Sequence, residues 1–180
     1  MDPKRLIFLD ESGIDTRMVR AYARAAAGRR AVGKVPWGHW KRLTVLGALA
    51  TEGVLAAMSV AAATSTRVFL AFVEHVLIPA VRQWRPDAIV VMDNLAAHKA
   101  KAVRAMLDRA GIEYRYLPSY SPDLNPIEQA WSKLKAHLRT KAARSLEALE
   151  AELGPALDTI TANDAQGWFR LAGYPQPQPA

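Results

Sequence analysis

Three acidic residues of this 180-residue chain stand where apolar stretches give way to turns or to a helix start. Asp10 follows Leu6-Ile-Phe-Leu9, Asp93 follows Ala88-Ile-Val-Val-Met92, and Glu128 closes Asn125-Pro126-Ile127-Glu128. Brought together, such carboxylates would do oxygen-ligand metal chemistry, for which magnesium prefers few carboxylates and retained waters. A pair of these ions about 3.5–4 Å apart clamps the attacking and leaving oxygens of an in-line displacement at a phosphodiester. The chain has no cysteine and four histidines, which excludes disulfides, zinc–thiolate clusters and thiol nucleophiles.

Each residue also has an ordinary reading. An aspartate after a strand commonly serves a turn or a cap. Asn125, Pro126 and Glu128 fit a helix start, with asparagine as N-cap, proline at the first position and glutamate reaching back. Only the combination of the three goes beyond what local rules predict.

Convergence depends on the elements that carry them. The runs before Asp10 and Asp93 suit short strands buried on both faces, and ligands of open α/β sheets gather at carboxyl ends of strands. Phe8 and Asp10 share one face of their strand, as do Val91 and Asp93, so neighbouring parallel strands would set the two carboxylates side by side. Glu11 then points to the opposite face and is not counted as a ligand.

Leu43–Ala50 and Val54–Ala63 read as a hairpin turning at Thr51-Glu52-Gly53. From Thr66 the pattern is helical, with Pro79 expected to kink or restart it. Ala100–Ala110 reads as a helix stopped by Gly111, and Glu113–Leu117 as another strand. A helix from Pro126 to about Ala143 carries Trp131, Leu134 and Leu138 on one face. A last helical region spans Leu146–Ile160, with a break expected at Gly154-Pro155. The order implies one α/β domain with a mixed sheet over residues 1–173, and a flexible proline-rich tail at 174–180.

Charge points to a polyanion. The net charge is +7, and it is unevenly spread. From Asp15 to Glu52 there are eight basic residues and no acid, in a stretch without clear periodicity over residues 16–41. From Glu128 to Glu147 Lys133, Lys135, Arg139, Lys141 and Arg144 again stand without an acid. Blocks of this kind match the footprint of a protein that displaces counterions from phosphates, although charge alone also fits a solubilising surface. No apolar run is long enough to span a bilayer, so the expectation is a cytoplasmic, nucleoid-associated protein without a membrane partner.

The segments Phe8-Leu-Asp-Glu-Ser12, Val32–Lys41, Val91-Met-Asp-Asn-Leu95 with His98-Lys99, and Leu117–Glu128 resemble those of DDE transposases with a ribonuclease-H-like fold. More narrowly, they resemble the bacterial insertion-sequence branch of the mariner superfamily. Thirty-four residues separate Asp93 from Glu128, the gap typical of that branch. The resemblance implies a ribonuclease-H-like α/β fold, with a mixed five-stranded sheet flanked by helices. It further implies that Asp10, Asp93 and Glu128 are the catalytic residues and hold two Mg²⁺ ions, for which Mn²⁺ can substitute. Asn94 and His98 match the motif after the second aspartate and would support the metal site or the scissile strand. For His98, a local hydrogen bond at a helix start is an equal alternative.

Such proteins cleave DNA at element ends and join the freed 3′-hydroxyl to target DNA. The implied partner is therefore DNA, contacted through Lys34, Trp40, Lys41, Arg42, Lys99, Lys133 and Lys135, with a homodimer as the active complex. Trp40 and its neighbour Trp37 have packing on the chain's own core as a competing role. Relatives also carry an N-terminal helix-turn-helix part. Here the catalytic strand opens the sequence, so that part is expected from a separate or frameshift-joined frame, or the chain is a truncated remnant. The competing functions are a DNA-binding remnant without catalysis and a nuclease unable to join strands.

Overall fold

In the computed structural model, residues 2–20 and 22–175 are described. Five strands, β1 (Leu6–Asp15), β2 (Arg42–Ala50), β3 (Gly53–Val60), β4 (Ile89–Met92) and β5 (Glu113–Tyr116), form one sheet in the order β3-β2-β1-β4-β5. The pairs β1–β2 and β2–β3 are antiparallel, and β1–β4 and β4–β5 are parallel. Parallel neighbours need crossovers. Helices α1 (Thr66–Phe72) and α2 (Ile78–Trp84) lead into β4, and α3 (Lys101–Ala110) joins β4 to β5. The mixed five-stranded sheet with flanking helices is the architecture expected from the sequence.

The side-chain alternation of the strands divides the core in two. Phe8, Val45 and Val91 face α4 (Ile127–Lys141), α5 (Leu146–Asp158) and α6 (Ala162–Leu171), where Trp131, Leu134, Leu153 and Phe169 fill the layer. Ile7, Leu9, Leu46, Val90 and Met92 face the other way, against Phe69, Phe72, Leu77, Val103 and Leu107.

Several expectations are corrected. The first strand does not end at Leu9 but runs to Asp15, because its antiparallel partner β2 continues to pair with it from Phe8↔Leu49 to Asp15↔Arg42. Asp10 therefore lies inside β1 and not at its carboxyl end. The chain does not break at Gly154-Pro155: α5 passes through Pro155 because Leu149, Leu153 and Ala156 keep one face buried. That packing outweighs the roughly 3 kcal/mol that an interior proline costs a helix. Pro79, by contrast, restarts the helix as expected: α1 ends at Phe72, a π-helical turn follows at Val73–Leu77, and α2 begins at Ile78 with Pro79 in its first turn.

A sixth helix, α6, lies beyond the last helical region expected; Thr161 and Asp164 close it with a reciprocal capping box. Tyr174, placed in the tail by sequence, packs on Phe8 with ring centroids 5.0 Å apart and donates its hydroxyl to the Leu124 carbonyl at 3.0 Å. Residues 176–180 of the expected tail lie outside the described residues. Among the described residues no helix is long and apolar enough to cross a membrane.

Candidate active site

The last parallel pair of β1 and β4 is Leu9↔Met92, so the next residue along each is Asp10 and Asp93. There β4 ends, leaving β1 bordered only by β2, and the opening becomes a cavity of about 440 Å³. Asp10, Asp93, Asn94, Asn125 and Glu128 all line it. Glu128 comes from the first turn of α4, whose start has no side-chain cap. The asparagine N-cap expected at Asn125 is therefore not formed. Its side chain is buried, with Oδ1 lacking a hydrogen-bond partner among the described residues, and Glu128 is exposed to the cavity rather than folded back on the backbone.

Each aspartate is steered by a neighbour. Trp131, three residues after Glu128 and so on the same side of α4, donates its indole N–H to Asp10 Oδ2 at 3.0 Å. Burial, and after it the negative charge of Glu128, push the Asp10 carboxyl from its usual 3.8 up to about 7. Asp93 makes the turn contact expected of such a residue, its Oδ1 accepting from the Leu95 backbone N–H at 2.9 Å. The same oxygen lies 2.6 Å from His98 Nδ1. The His98 bond, working against burial, holds Asp93 below the usual carboxylate range.

His98 itself is fully buried and is more than a residue with a local bond. Its Nε2 lies 3.1 Å from Glu11 Oε2, a carboxylate 87 residues away in sequence. Burial alone would lower the ring's affinity for a proton. The carboxylates on its two nitrogens outweigh burial and raise it to about 9. Asn94 donates its amide to the Leu117 carbonyl at 2.6 Å, tying the end of β4 to the chain leaving β5.

Among the described residues, no three His, Asp or Glu side chains already enclose a single ion. The donor set nonetheless fits hydrated divalent cations: it consists of three carboxylates spread around one open cavity, with both ring nitrogens of the neighbouring His98 taken up by Asp93 and Glu11. Magnesium takes one or two carboxylates and keeps several waters, so it does not need a closed protein cage.

The candidate DNA contacts do not form one group. Residues 22–41 hold no regular secondary structure and are almost wholly exposed, carrying Lys34, Trp40 and Lys41 up to Arg42 at the start of β2. Trp37 is fully exposed, and Trp40 is half exposed beneath the Arg17 guanidinium, 3.7 Å from the ring centroid; neither packs on the core. The neck of this segment is closed where Thr16 and Lys41 exchange hydrogen bonds, and Arg144 donates to the Thr16 and Met18 carbonyls. Lys99 is exposed beside the cavity residue Leu95, 5.7 Å over the Tyr116 ring. Lys133 is already paired with Asp164 at 2.6 Å, joining α4 to α6, and Lys135 is half-buried on α4.

Sequence reasoning misses two residues at this site. Trp131 reads as core alone, although a buried indole N–H needs an acceptor and Glu128 sits one turn before it. Glu11 is set aside by the alternation rule, which places its face correctly and gives no hint of His98.

Residues 5–150 match the family described as DDE superfamily endonuclease. A transposable element Tcb2 transposase of Caenorhabditis briggsae is 33% identical over 71 residues, covering 37% of this chain and 26% of that protein. Among solved structures, a Mos1 transposase paired-end complex with the left transposon end superposes with TM-score 0.73 at 21% identity, covering 96% of this chain and 53% of the other. The catalytic domain of Mos1 mariner transposase gives TM-score 0.70 at 18% identity, over 95% of this chain and 78% of that one. The chain thus spans about half the length of the Mos1 chain in the paired-end complex, and about a quarter of the curated relative. The fold is the ribonuclease-H-like fold of the Mos1 catalytic domain. With the family match extending from the start of β1 into α5, across all three carboxylates, the chain belongs to the DDE superfamily endonucleases.

Proposed function

We propose that this chain is the catalytic domain of a cut-and-paste DNA transposase, cleaving DNA at element ends and transferring the freed strand to a target. The observation that carries this reading is the meeting of Asp10, Asp93 and Glu128, from three separate elements, on one open cavity. We also assign the chain to the bacterial insertion-sequence branch, on the thirty-four residues between Asp93 and Glu128.

In this reading Asp10, Asp93 and Glu128 hold two divalent cations, Mg²⁺ with Mn²⁺ as substitute; Mos1 transposase has been solved with each of these metals. Bound there, such ions supply activation of the attacking water or 3′-hydroxyl and stabilise charge on the leaving oxygen. The chain's own side chains do the rest. Trp131 keeps Asp10 Oδ2 fixed, His98 keeps Asp93 Oδ1 fixed, and Asn94 secures the end of β4, so the two aspartates are held before substrate arrives. Lys34, Lys41, Arg42 and Lys99 are exposed cations able to hold the phosphate backbone across the opening.

The partner is DNA, with a homodimer as the active complex, end recognition supplied by a helix-turn-helix part, and a cytoplasmic, nucleoid-associated setting. The test is strand transfer with pre-cut DNA ends and Mg²⁺ or Mn²⁺, wild type beside Asp93→Asn. Joining by the wild type and none by the variant supports a transposase. Cleavage of DNA without any joining would reduce the reading to a nuclease.

A further inference from the structure

Glu11 follows Asp10 on β1 and lies on the other face of the sheet. It does not line the carboxylate cavity; it borders a separate hollow with Gly13, Arg42 and Thr44. Its side chain is only 17% exposed, and Oε2 lies 3.1 Å from His98 Nε2. His98 has no access to solvent. Its ring centroid is 4.2 Å from that of Phe69, and its main-chain carbonyl accepts the Tyr116 hydroxyl at 3.0 Å. The ring is therefore pinned by an aromatic face, a main-chain anchor and two carboxylates.

A ring nitrogen buried this deeply has no water to replace a missing partner. Glu11 is the acceptor that Nε2 has, and it sets the rotation at which Nδ1 meets Asp93. On Asp93, Oδ1 takes both the imidazole and the Leu95 N–H, and Oδ2 is free of both bonds. The terminal torsion of an aspartate is soft, so these two bonds decide which oxygen is offered to the cavity.

We propose that Glu11 is a positioning residue for Asp93, acting through His98 from the opposite side of the sheet. The proposal rests on the reading of Asp93 as a metal ligand. It assigns Glu11 an effect on metal affinity, because outer partners of metal-ligating carboxylates and histidines govern affinity by about 10–100-fold. Glu11 touches neither substrate nor ion.

The test is Mn²⁺ binding to the DNA-free protein by titration calorimetry, together with the Mg²⁺ dependence of supercoiled-DNA nicking. For Glu11→Ala the expected result is a loss of about tenfold or more in Mn²⁺ affinity. The Mg²⁺ concentration for half-maximal nicking should rise by a similar factor, with a smaller change in rate at saturating metal. Glu11→Gln keeps an oxygen acceptor for Nε2 and should recover most of the loss. Should Glu11→Ala fail to fold, Glu11→Asp retains the charge and withdraws it by one methylene, and the same loss of affinity is expected of it. Wild-type metal affinity in the folded Ala or Asp variant, with Asp93→Asn inactive, would overturn this inference alone and leave the metal site standing. Full nicking by Asp93→Asn would overturn both.

Discussion

Trp131 and Asp10 lie 121 residues apart in sequence, and the indole N–H of the first is 3.0 Å from Oδ2 of the second. Helix α4 thereby carries both Glu128 and the residue that steers Asp10, so one element sets two of the three carboxylates. Trp131→Phe would keep most of the aromatic volume and remove only the donor. Metal-dependent nicking should fall by about 10–100-fold. Folding stability should fall by about 1–3 kcal/mol, the cost of one missing buried hydrogen bond. Urea unfolding and a nicking time course on the same preparation measure both effects.

The approach of Trp131 depends on Gly47, the partner of Asp10 on β2. A Cβ at that position would stand 2.5 Å from the indole ring, which has no flexible end to yield. Gly47→Ala should destabilise the fold by about 1–3 kcal/mol through overpacking. It should also lower nicking more than Gly13→Ala, where an added methyl meets only the Arg42 side chain at ordinary van der Waals distance. Equal effects of the two substitutions on melting temperature and activity would contradict this role for the glycine.

Acid stability should depend on α6. The ammonium of Lys133, and after it the Thr161 hydroxyl, hold Asp164 down from its usual 3.8 to about 2. A carboxyl whose folded-state pKa is depressed contributes stability that is complete above the unfolded value and is lost as pH falls through the folded one. The difference in melting temperature between wild type and Asp164→Asn should therefore be constant above about pH 5 and shrink between about pH 4 and pH 2. A difference independent of pH across that window would show that the Lys133–Asp164 pair contributes nothing of this kind.

The exposed basic segment should act on affinity and not on chemistry. Replacing Lys34, Lys41 and Arg42 together by alanine should weaken DNA binding for all sequences. The slope of log K against log salt should fall by roughly 0.9 for each phosphate that is no longer neutralised. Lys133→Ala should leave that slope nearly unchanged, since its charge is already matched by Asp164. Filter binding across a salt series separates the two classes.

Whatever local pattern determines is legible in the sequence. Leu6–Leu9 and Ala88–Met92 announce buried strands, and alternation correctly gives the face that Asp10 shares with Phe8 and Asp93 with Val91; that the two strands are parallel neighbours comes from the structure. The extension of β1 to Asp15 is hidden because it comes from pairing with β2, whose first residue lies 27 positions further on. Helix α5 overrides the expected break at Pro155 for a similar reason: burial against α4 is not a local property. Helix α6 escapes sequence reading although Thr161 and Asp164 carry its capping signature, since its buried positions are few. The role of His98 requires knowing where Glu11 points, and no spacing rule links residues 11 and 98. Charge blocks are legible, but the pairing of Lys133 with a distant aspartate is not.

Asp10, Asp93 and Glu128 are proposed to act as one metal-holding unit. The most direct test is nicking of supercoiled DNA in Mg²⁺ or Mn²⁺ by three separate isosteric variants, Asp10→Asn, Asp93→Asn and Glu128→Gln, with DNA affinity measured alongside. Removal of any one carboxylate should cost several kcal/mol of transition-state stabilisation, about a thousandfold in rate, with DNA binding retained. Wild-type nicking by any one of the three folded variants would contradict the proposal.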